Sequence, residues 1–389
     1  MNREMEENIF FDDYLDDIGH SDFGNSVVTG TDWTIETIIR QVEKGNISLS
    51  PVFQRRDAWT QERKSLFIES LLVGMPIPQL VLAEDPNSRG RFIVLDGKQR
   101  LLSILQFAAI NSREQYPALR LKHLPILHEL ERATYEELVE RGYNFSTFEN
   151  QWVRTVIIKN SPSEAMLSQV FYRLNTGSLP LSPQELRFAL CPGEFTKFID
   201  QKSEESTPIK YFLGNTSLDF RMRDVELLLR LLTNNKMFSS YRGNLKEYLD
   251  SGFRFFTQEF DNISAELLEM CEQFEEAHHF VLETFGEDSY RKFSNGEFES
   301  RKNRSIFEVL LYIFSDDLVR TTVRQSGLDN FKDLFMEISN SNRDFINAIE
   351  KTTKSIPSVR NRFNILITAI NKRFGLDIEL VHIGGGDFG

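Results

Sequence analysis

The stretch Arg91-Phe92-Ile93-Val94-Leu95-Asp96-Gly97-Lys98-Gln99-Arg100-Leu101-Leu102-Ser103-Ile104-Leu105 changes its period in the middle. Arg91 to Leu95 is rich in β-branched and aromatic residues, as a strand requires, whereas Leu101, Leu102, Ile104 and Leu105 return at helical spacing. Asp96-Gly97 lies between them, so the segment reads strand, tight turn, helix, with the helix running from Lys98 to Phe107. A glycine at such a junction lets a ligand approach the backbone. The unpaired N–H groups and the dipole of the helix start then favour a phosphate. Lys98 and Arg100 add positive charge, Arg100 as a fork, and Asp96 is a carboxylate suited to a magnesium ion or its waters. Gln99 is an amide able to orient a water. The competing reading is an ordinary Asp-Gly turn that caps the helix and leaves Lys98 and Arg100 in solvent.

Working outward, Gln79 to Ala83 reads as a second strand, joined to the first through turn residues Asp85 to Gly90. Before it, Thr60 opens a helix that ends at Gly74. Leu66, Phe67, Ser70, Leu71 and Val73 form its apolar face, and Gln61, Glu62, Arg63 and Lys64 its exposed start. Pro51-Val52-Phe53-Gln54-Arg55-Arg56-Asp57-Ala58-Trp59 leads into that helix, where Gln54 and Arg55 could face a ligand or lie in a loop pinned by Trp59. Further upstream, Asp32 caps a helix through about Glu43, and Ser48-Leu49-Ser50 is extended.

Downstream, Val153 to Lys159 is a strand, and Ser161-Pro162 starts a helix to about Leu174 that Asn175-Thr176-Gly177 breaks. Ser182-Pro183-Gln184-Glu185 supplies a capping box for the next helix. Beyond about residue 200 strand signals fade. Asp219 to Leu232, Ala265 to Phe285, Arg304 to Phe314 and Val359 to Phe374 all carry helical apolar spacing. The expected fold class is therefore α+β, an N-terminal mixed domain followed by an all-helical C-terminal domain. The expected divisions are an acidic arm at 1–25, a ligand-binding domain at 26–200, a helical domain at 201–376 and a glycine-rich tail at 377–389.

Composition sets limits on function. With 389 residues the chain is long enough for two cores. Its net charge of -13 argues against broad, nonspecific neutralisation of duplex DNA, though a local basic groove is compatible with it. The arm itself, with Glu4, Glu6, Glu7, Asp12, Asp13, Asp16, Asp17 and Asp22 against Arg3, is either a solvated tail or a mimic of nucleic acid that covers a basic site. Cys191 and Cys271 are the two cysteines and form no zinc-binding or disulfide pattern, which fits a reducing cytosol. No stretch reaches the roughly 20 apolar residues of a membrane span, and the acidic N-terminus is unlike a signal peptide. The expectation is a cytoplasmic protein with no membrane partner.

Several of these segments together resemble the N-terminal domain family of GmrSD restriction endonucleases, whose fold is similar to that of ParB and sulfiredoxin. The resemblance is carried by Phe53-Gln54-Arg55 with Trp59, by Ser65 to Pro78, and by Asp96-Gly97-Lys98-Gln99-Arg100. It continues through Phe171-Tyr172-Arg173-Leu174-Asn175-Thr176-Gly177 and Leu181-Ser182-Pro183-Gln184-Glu185-Leu186-Arg187, covering roughly residues 30 to 200. Arg221 to Arg230 also looks like the helical extension of these proteins.

The resemblance implies a ParB/sulfiredoxin-like domain that binds and hydrolyses a nucleoside triphosphate with Mg2+. It makes Asp96, Gln99 and Arg100 catalytic, Asp96 also the metal ligand, and Gln54, Arg55, Gly97, Lys98, Asn175 and Thr176 nucleotide contacts. In the family's larger members this activity regulates an attached nuclease that acts on foreign DNA in defence against phage.

Two positions depart from the family pattern: Lys98 stands where glutamine is commonest, and Arg56-Asp57-Ala58 where an aromatic and an aliphatic residue are more usual. The histidine-metal nuclease motif is also unmatched. His278 and His279 are adjacent on a helix and diverge by about 100 degrees, which poorly suits one metal. No cysteine stands where a sulfiredoxin-like thiol would be needed. Nuclease output is thus expected from a partner encoded nearby, with an oligomer allowed. Two other functions remain in competition: a non-catalytic module that grips DNA phosphates or a modified base, and a scaffold whose helical half docks a protein.

Overall fold

A computed structural model describes residues 27–49, 59–85, 88–160, 183–191, 193–214, 219 and 222–383. The acidic arm, the helix expected from Ser161 to Leu174, and the residues Ser182, Gln54, Arg55, Asn175 and Thr176 lie outside them. The fold is α+β, with an N-terminal mixed region and a predominantly helical C-terminal part. The described residues form two compact units, one of 27–191 with Asp219 and Met222, the other of 193–214 and 223–383.

The first unit is organised by a five-stranded sheet of β1 (Val27–Thr34), β2 (Ile47–Ser48), β3 (Leu80–Asp85), β4 (Ser88–Asp96) and β5 (Trp152–Lys159), in the order β1-β5-β3-β4-β2. β3 is central, and its Leu80-Val81-Leu82-Ala83 is buried on both faces, which is why it is a continuous apolar run rather than an alternation. It pairs antiparallel with β4, as the turn between them requires, and parallel with β5. β1 lies at the edge with Val27 and Val28 exposed. Its weak apolar pattern explains why a helix cap is read at Asp32: the strand runs through that residue, whose carboxylate meets Arg154 at 3.2 Å, and Thr34 is the cap. The helix it starts, α1 (Ile35–Glu43), begins with the Thr37 N–H donating to the Thr34 hydroxyl.

α2 (Gln61–Leu72) starts where expected, with Thr60 accepting from the Arg63 N–H at 3.3 Å, but its buried face differs from the expected one. Leu66 is exposed, while Lys64, Phe67, Ile68, Glu69, Leu71 and Leu72 are buried. Two charged residues go inside because each has a specific partner. Glu69 accepts the Ile126 and Leu127 N–H groups at 2.8 Å, and the Lys64 ammonium donates to Gln106 at 2.8 Å. α2 packs on α3 (Lys98–Ala108), whose Leu101, Leu102, Ile104, Leu105 and Phe107 join Ile35, Ile38, Ile68 and Leu71 in one core. Three short α-helices among the described residues, α4 (Tyr135–Glu140), α5 (Ser146–Glu149) and α6 (Pro183–Leu190), also belong to this unit.

The second unit begins with α7 (Glu194–Glu205) and α8 (Thr207–Leu213), then α9 (Arg223–Met237) and the 41-residue α10 (Leu245–Phe285). It closes with α11 (Arg304–Phe314), α12 (Asp317–Ser326), α13 (Leu328–Ser341), α14 (Arg343–Glu350) and α15 (Ile356–Phe374). It is not wholly helical. A hairpin of β6 (Arg291–Ser294) and β7 (Glu297–Lys302) turns through Asn295-Gly296, with φ of 54° and 89°. Two successive positive φ values are those of the tight hairpin turn that Asn-Gly favours. The chain after α15 is docked as far as Ile383. Asn371 both donates to and accepts from the Ile378 backbone, and Asn364 does the same at Val381.

His278 and His279 diverge as their helical spacing implies: His278 is fully buried on α10, stacks on Tyr290 and meets its hydroxyl at 2.7 Å, while His279 is exposed. Burial, with help from His279 and Lys302, pushes the His278 imidazole down to about 4. Because the folded value lies below that of the unfolded chain, this group costs stability as the pH falls from about 6.5 towards 4. The melting temperature of a His278→Gln variant is therefore expected to fall less steeply than that of the native chain across this window, as followed by circular dichroism.

Candidate functional site

The candidate site forms where β4 ends and α3 begins. The turn depends on Gly97, which has φ of 93° and lies so close to β3 that a Cβ there would stand 2.2 Å from Leu80 Cδ2 and 3.1 Å from Arg100 Nη2. A side chain would meet both backbone strain and collision. Gly97 is the N-cap of α3, and no side chain caps this helix. The dipole of its first turn thus faces the site without a capping oxygen.

Asp96 and Arg100 lie one helical turn apart and close on each other. Asp96 Oδ1 accepts the Gly97 N–H at 2.7 Å, and Oδ2 accepts from Arg100 Nη2 at 2.9 Å. The same Nη2 also donates to the Gln79 carbonyl at 2.9 Å, tying the guanidinium to the start of β3. Arg100 Nε is buried and has no hydrogen-bond partner. An orphaned guanidinium donor is costly in a protein interior and suits an incoming oxyanion.

The other two motif side chains reach distant parts of the sequence. Gln99 Oε1 accepts the Trp59 N–H at 3.3 Å, which brings the end of the Phe53 to Trp59 segment onto the motif. Trp59 is fixed in turn against Phe67, with ring centroids 5.7 Å apart, and under the Arg63 guanidinium at 4.7 Å. Lys98 is only 7% exposed, and its ammonium donates to Glu185 of α6 at 2.8 Å. The solvated lysine of the capping-turn reading is thus replaced by a buried ion pair. Glu185, read from sequence as the acidic member of a capping box, is the partner that sequence reasoning missed, because 87 residues separate the two. Gln184 and Arg187 beside it are also buried, joined through Gln184 Oε1 at 3.0 Å.

Trp59, the turn from Asp96 to Arg100, and Glu185, from three of the five resembling segments, therefore meet at the start of α3. Gln54, Arg55, Asn175 and Thr176 lie outside the described residues. As for a metal, Asp96 is a carboxylate with both oxygens already bonded, and among the described residues no group of three or more His, Cys, Asp or Glu side chains is arranged to hold an ion. Thiol chemistry is poorly served by Cys271, which burial pushes up to about 12.

Residues 35–191 match the family model described as GmrSD restriction endonuclease, N-terminal domain. No curated protein and no solved structure matches the chain. Among the described residues no helix is long and apolar enough to cross a membrane.

Replacing Gly97 by alanine is expected to destabilise the protein by about 2 to 4 kcal/mol, from a positive φ combined with overpacking; denaturant unfolding measures it. Lys98→Gln, which places the family's commonest residue here, is expected to cost about 1 to 3 kcal/mol because Glu185 loses a charged donor while remaining buried. Unchanged unfolding midpoints in both variants would remove the turn and the ion pair as supports of the site.

Proposed function

We propose, from the premise that residues 35–191 are a GmrSD restriction endonuclease N-terminal domain, that this protein binds and hydrolyses a nucleoside triphosphate at the start of α3. The family supports a role in a restriction or phage-defence system, with hydrolysis as the regulatory switch and the nuclease supplied by a partner protein in the cytoplasm. The observation that carries the reading is the buried, unpartnered Nε of Arg100 beside an uncapped helix start.

In this reading the triphosphate sits at the first turn of α3, where backbone N–H groups and the helix dipole meet its charge. Arg100 turns its guanidinium from Asp96 to a phosphate oxygen, gaining an acceptor for Nε. Asp96, relieved of one partner, carries the magnesium ion, which supplies neutralisation of the phosphate charge when bound. Gln99 and Trp59 hold the wall of the site through their mutual hydrogen bond, with Gln54, Arg55, Asn175 and Thr176 as further nucleotide contacts. Lys98 acts at one remove: paired to Glu185, it fixes the first turn of α3 on α6.

The test is phosphate release from ATP, GTP, CTP and UTP with magnesium, with and without DNA, in the native chain and in Arg100→Ala. The expected outcome is turnover of at least one nucleotide that drops about 100-fold or more in the variant, the usual scale for losing one donor to a developing charge. Full activity in Arg100→Ala would remove the reading. Absence of turnover together with salt-sensitive DNA binding would replace it with a non-catalytic DNA-binding module.

A further inference from the structure

The chain after α15 runs beside an open groove in the helical unit, outside the residues that match the family. Asn364, which holds Val381, also lines this groove. The floor is apolar, formed by Ile338 of α13 with Ile365 and Ala369 of α15. Arg360 and Lys372 are the first and last residues of α15 that line it, about 18 Å apart along the helix axis. Both are exposed, and among the described residues neither pairs with a carboxylate. No acidic side chain lines the groove among these residues. Its volume of about 450 Å³ falls within the range of ligand pockets, roughly 300 to 1,000 Å³. An apolar floor between two cations that lack a carboxylate calls for an occupant with an acid next to a large apolar side chain.

The asparagine tether indicates where such an occupant comes from. Asn371 holds Ile378 and Asn364 holds Val381, so the chain runs antiparallel to α15. Seven helical residues rise about 10 Å, the length of three extended residues, so this stretch is close to fully extended. Two more extended residues advance about 7 Å, roughly one turn of α15, which brings Ile383 level with Arg360. Ile383 is still buried, at 7% exposure. The sequence continues Gly384-Gly385-Gly386-Asp387-Phe388-Gly389, outside the described residues. Three glycines permit a reversal of direction, because glycine adopts positive φ freely. The residues that follow them are an acid and a large apolar residue in succession.

We propose that residues 384–389 turn back at the Arg360 end and dock in the groove between α13 and α15, with Asp387 on Arg360 and Phe388 on Ile338 and Ile365. The occupant is this segment of the same chain because the tether delivers it to the mouth of the groove, and its acid and its aromatic ring match the wall. Covalent attachment keeps its effective concentration high, so a short contact suffices. Burial of the phenylalanine ring supplies most of the attraction, and the ion pair sets the direction of entry. The inference does not depend on the nucleotide reading of the N-terminal motif.

Chymotrypsin, whose hydrophobic slot takes aromatic side chains, cuts after Phe388 only when the segment leaves the groove. Loss of Gly389, followed by mass spectrometry, therefore measures how often it is open. The native chain is expected to be cut slowly there, and Arg360→Glu about three- to tenfold faster, the scale of turning one exposed ion pair into a repulsion. Arg360→Glu combined with Asp387→Lys is expected to return towards the native rate. Arg360 is exposed, so these changes leave folding intact, which an unchanged melting temperature verifies. Rapid cutting of the native chain, equal rates in all three proteins, or no recovery in the double variant would overturn the proposal. So would protection that strengthens with protein concentration, since the segment would then occupy the groove of a second copy.

Discussion

At Gly97 the chain passes from strand to helix within one residue, in a conformation that side chains resist and against a neighbouring strand that leaves no space for one. This constraint fixes the rotation of α3 about its axis, and with it the directions of the next three residues. Lys98 goes inwards to Glu185, Gln99 to the Trp59 backbone, and Arg100 back over Asp96. Consecutive helical residues diverge by about 100 degrees, so a single turn can tie down three separate segments. The site is an arrangement of distant pieces organised by one backbone conformation.

Charge is handled differently in the two units. Around α3 the buried charges bridge elements: Lys98 with Glu185 links α3 to α6, while Lys64 and Glu69 of α2 bond to the neutral Gln106 side chain and to the Ile126 and Leu127 amides. In the helical unit the charges form a chain, Glu226 to Arg230 to Glu308 to Arg362, in which each interior ion leans on the next. Such networks contribute little net stability over apolar packing, yet are costly to break at one member, since the remaining charges stay buried. Charged groups are therefore strong constraints on substitution in both units, for reasons that apolar periodicity does not reveal.

The legible parts of the fold were those in which local pattern and tertiary position agree. The switch from strand to helix at 91–107 was readable because its apolar residues change period where the backbone does. β1 was missed because an edge strand with exposed valines lacks a buried face to mark it. The buried face of α2 was misjudged because Lys64 and Glu69 enter the core through partners at Gln106 and at the Ile126 and Leu127 amides, far along the chain. The β6-β7 hairpin is marked locally only by Asn295-Gly296, between long stretches of helical spacing. For the site, Asp96 to Arg100 could be found from sequence, but not Glu185 as the partner of Lys98, because nothing local to either residue encodes their contact.

The segment after α15 shows another means of attachment. Asn364 and Asn371, two helical turns apart, each hold one backbone residue through a paired donor and acceptor, much as a neighbouring strand would. These bonds involve no formal charge, so dissolved ions barely weaken them, whereas exposed ion pairs weaken as salt rises. Ionic strength thus acts selectively on this molecule. It leaves the tether along α15 intact while loosening exposed pairs such as Arg120 with Glu137.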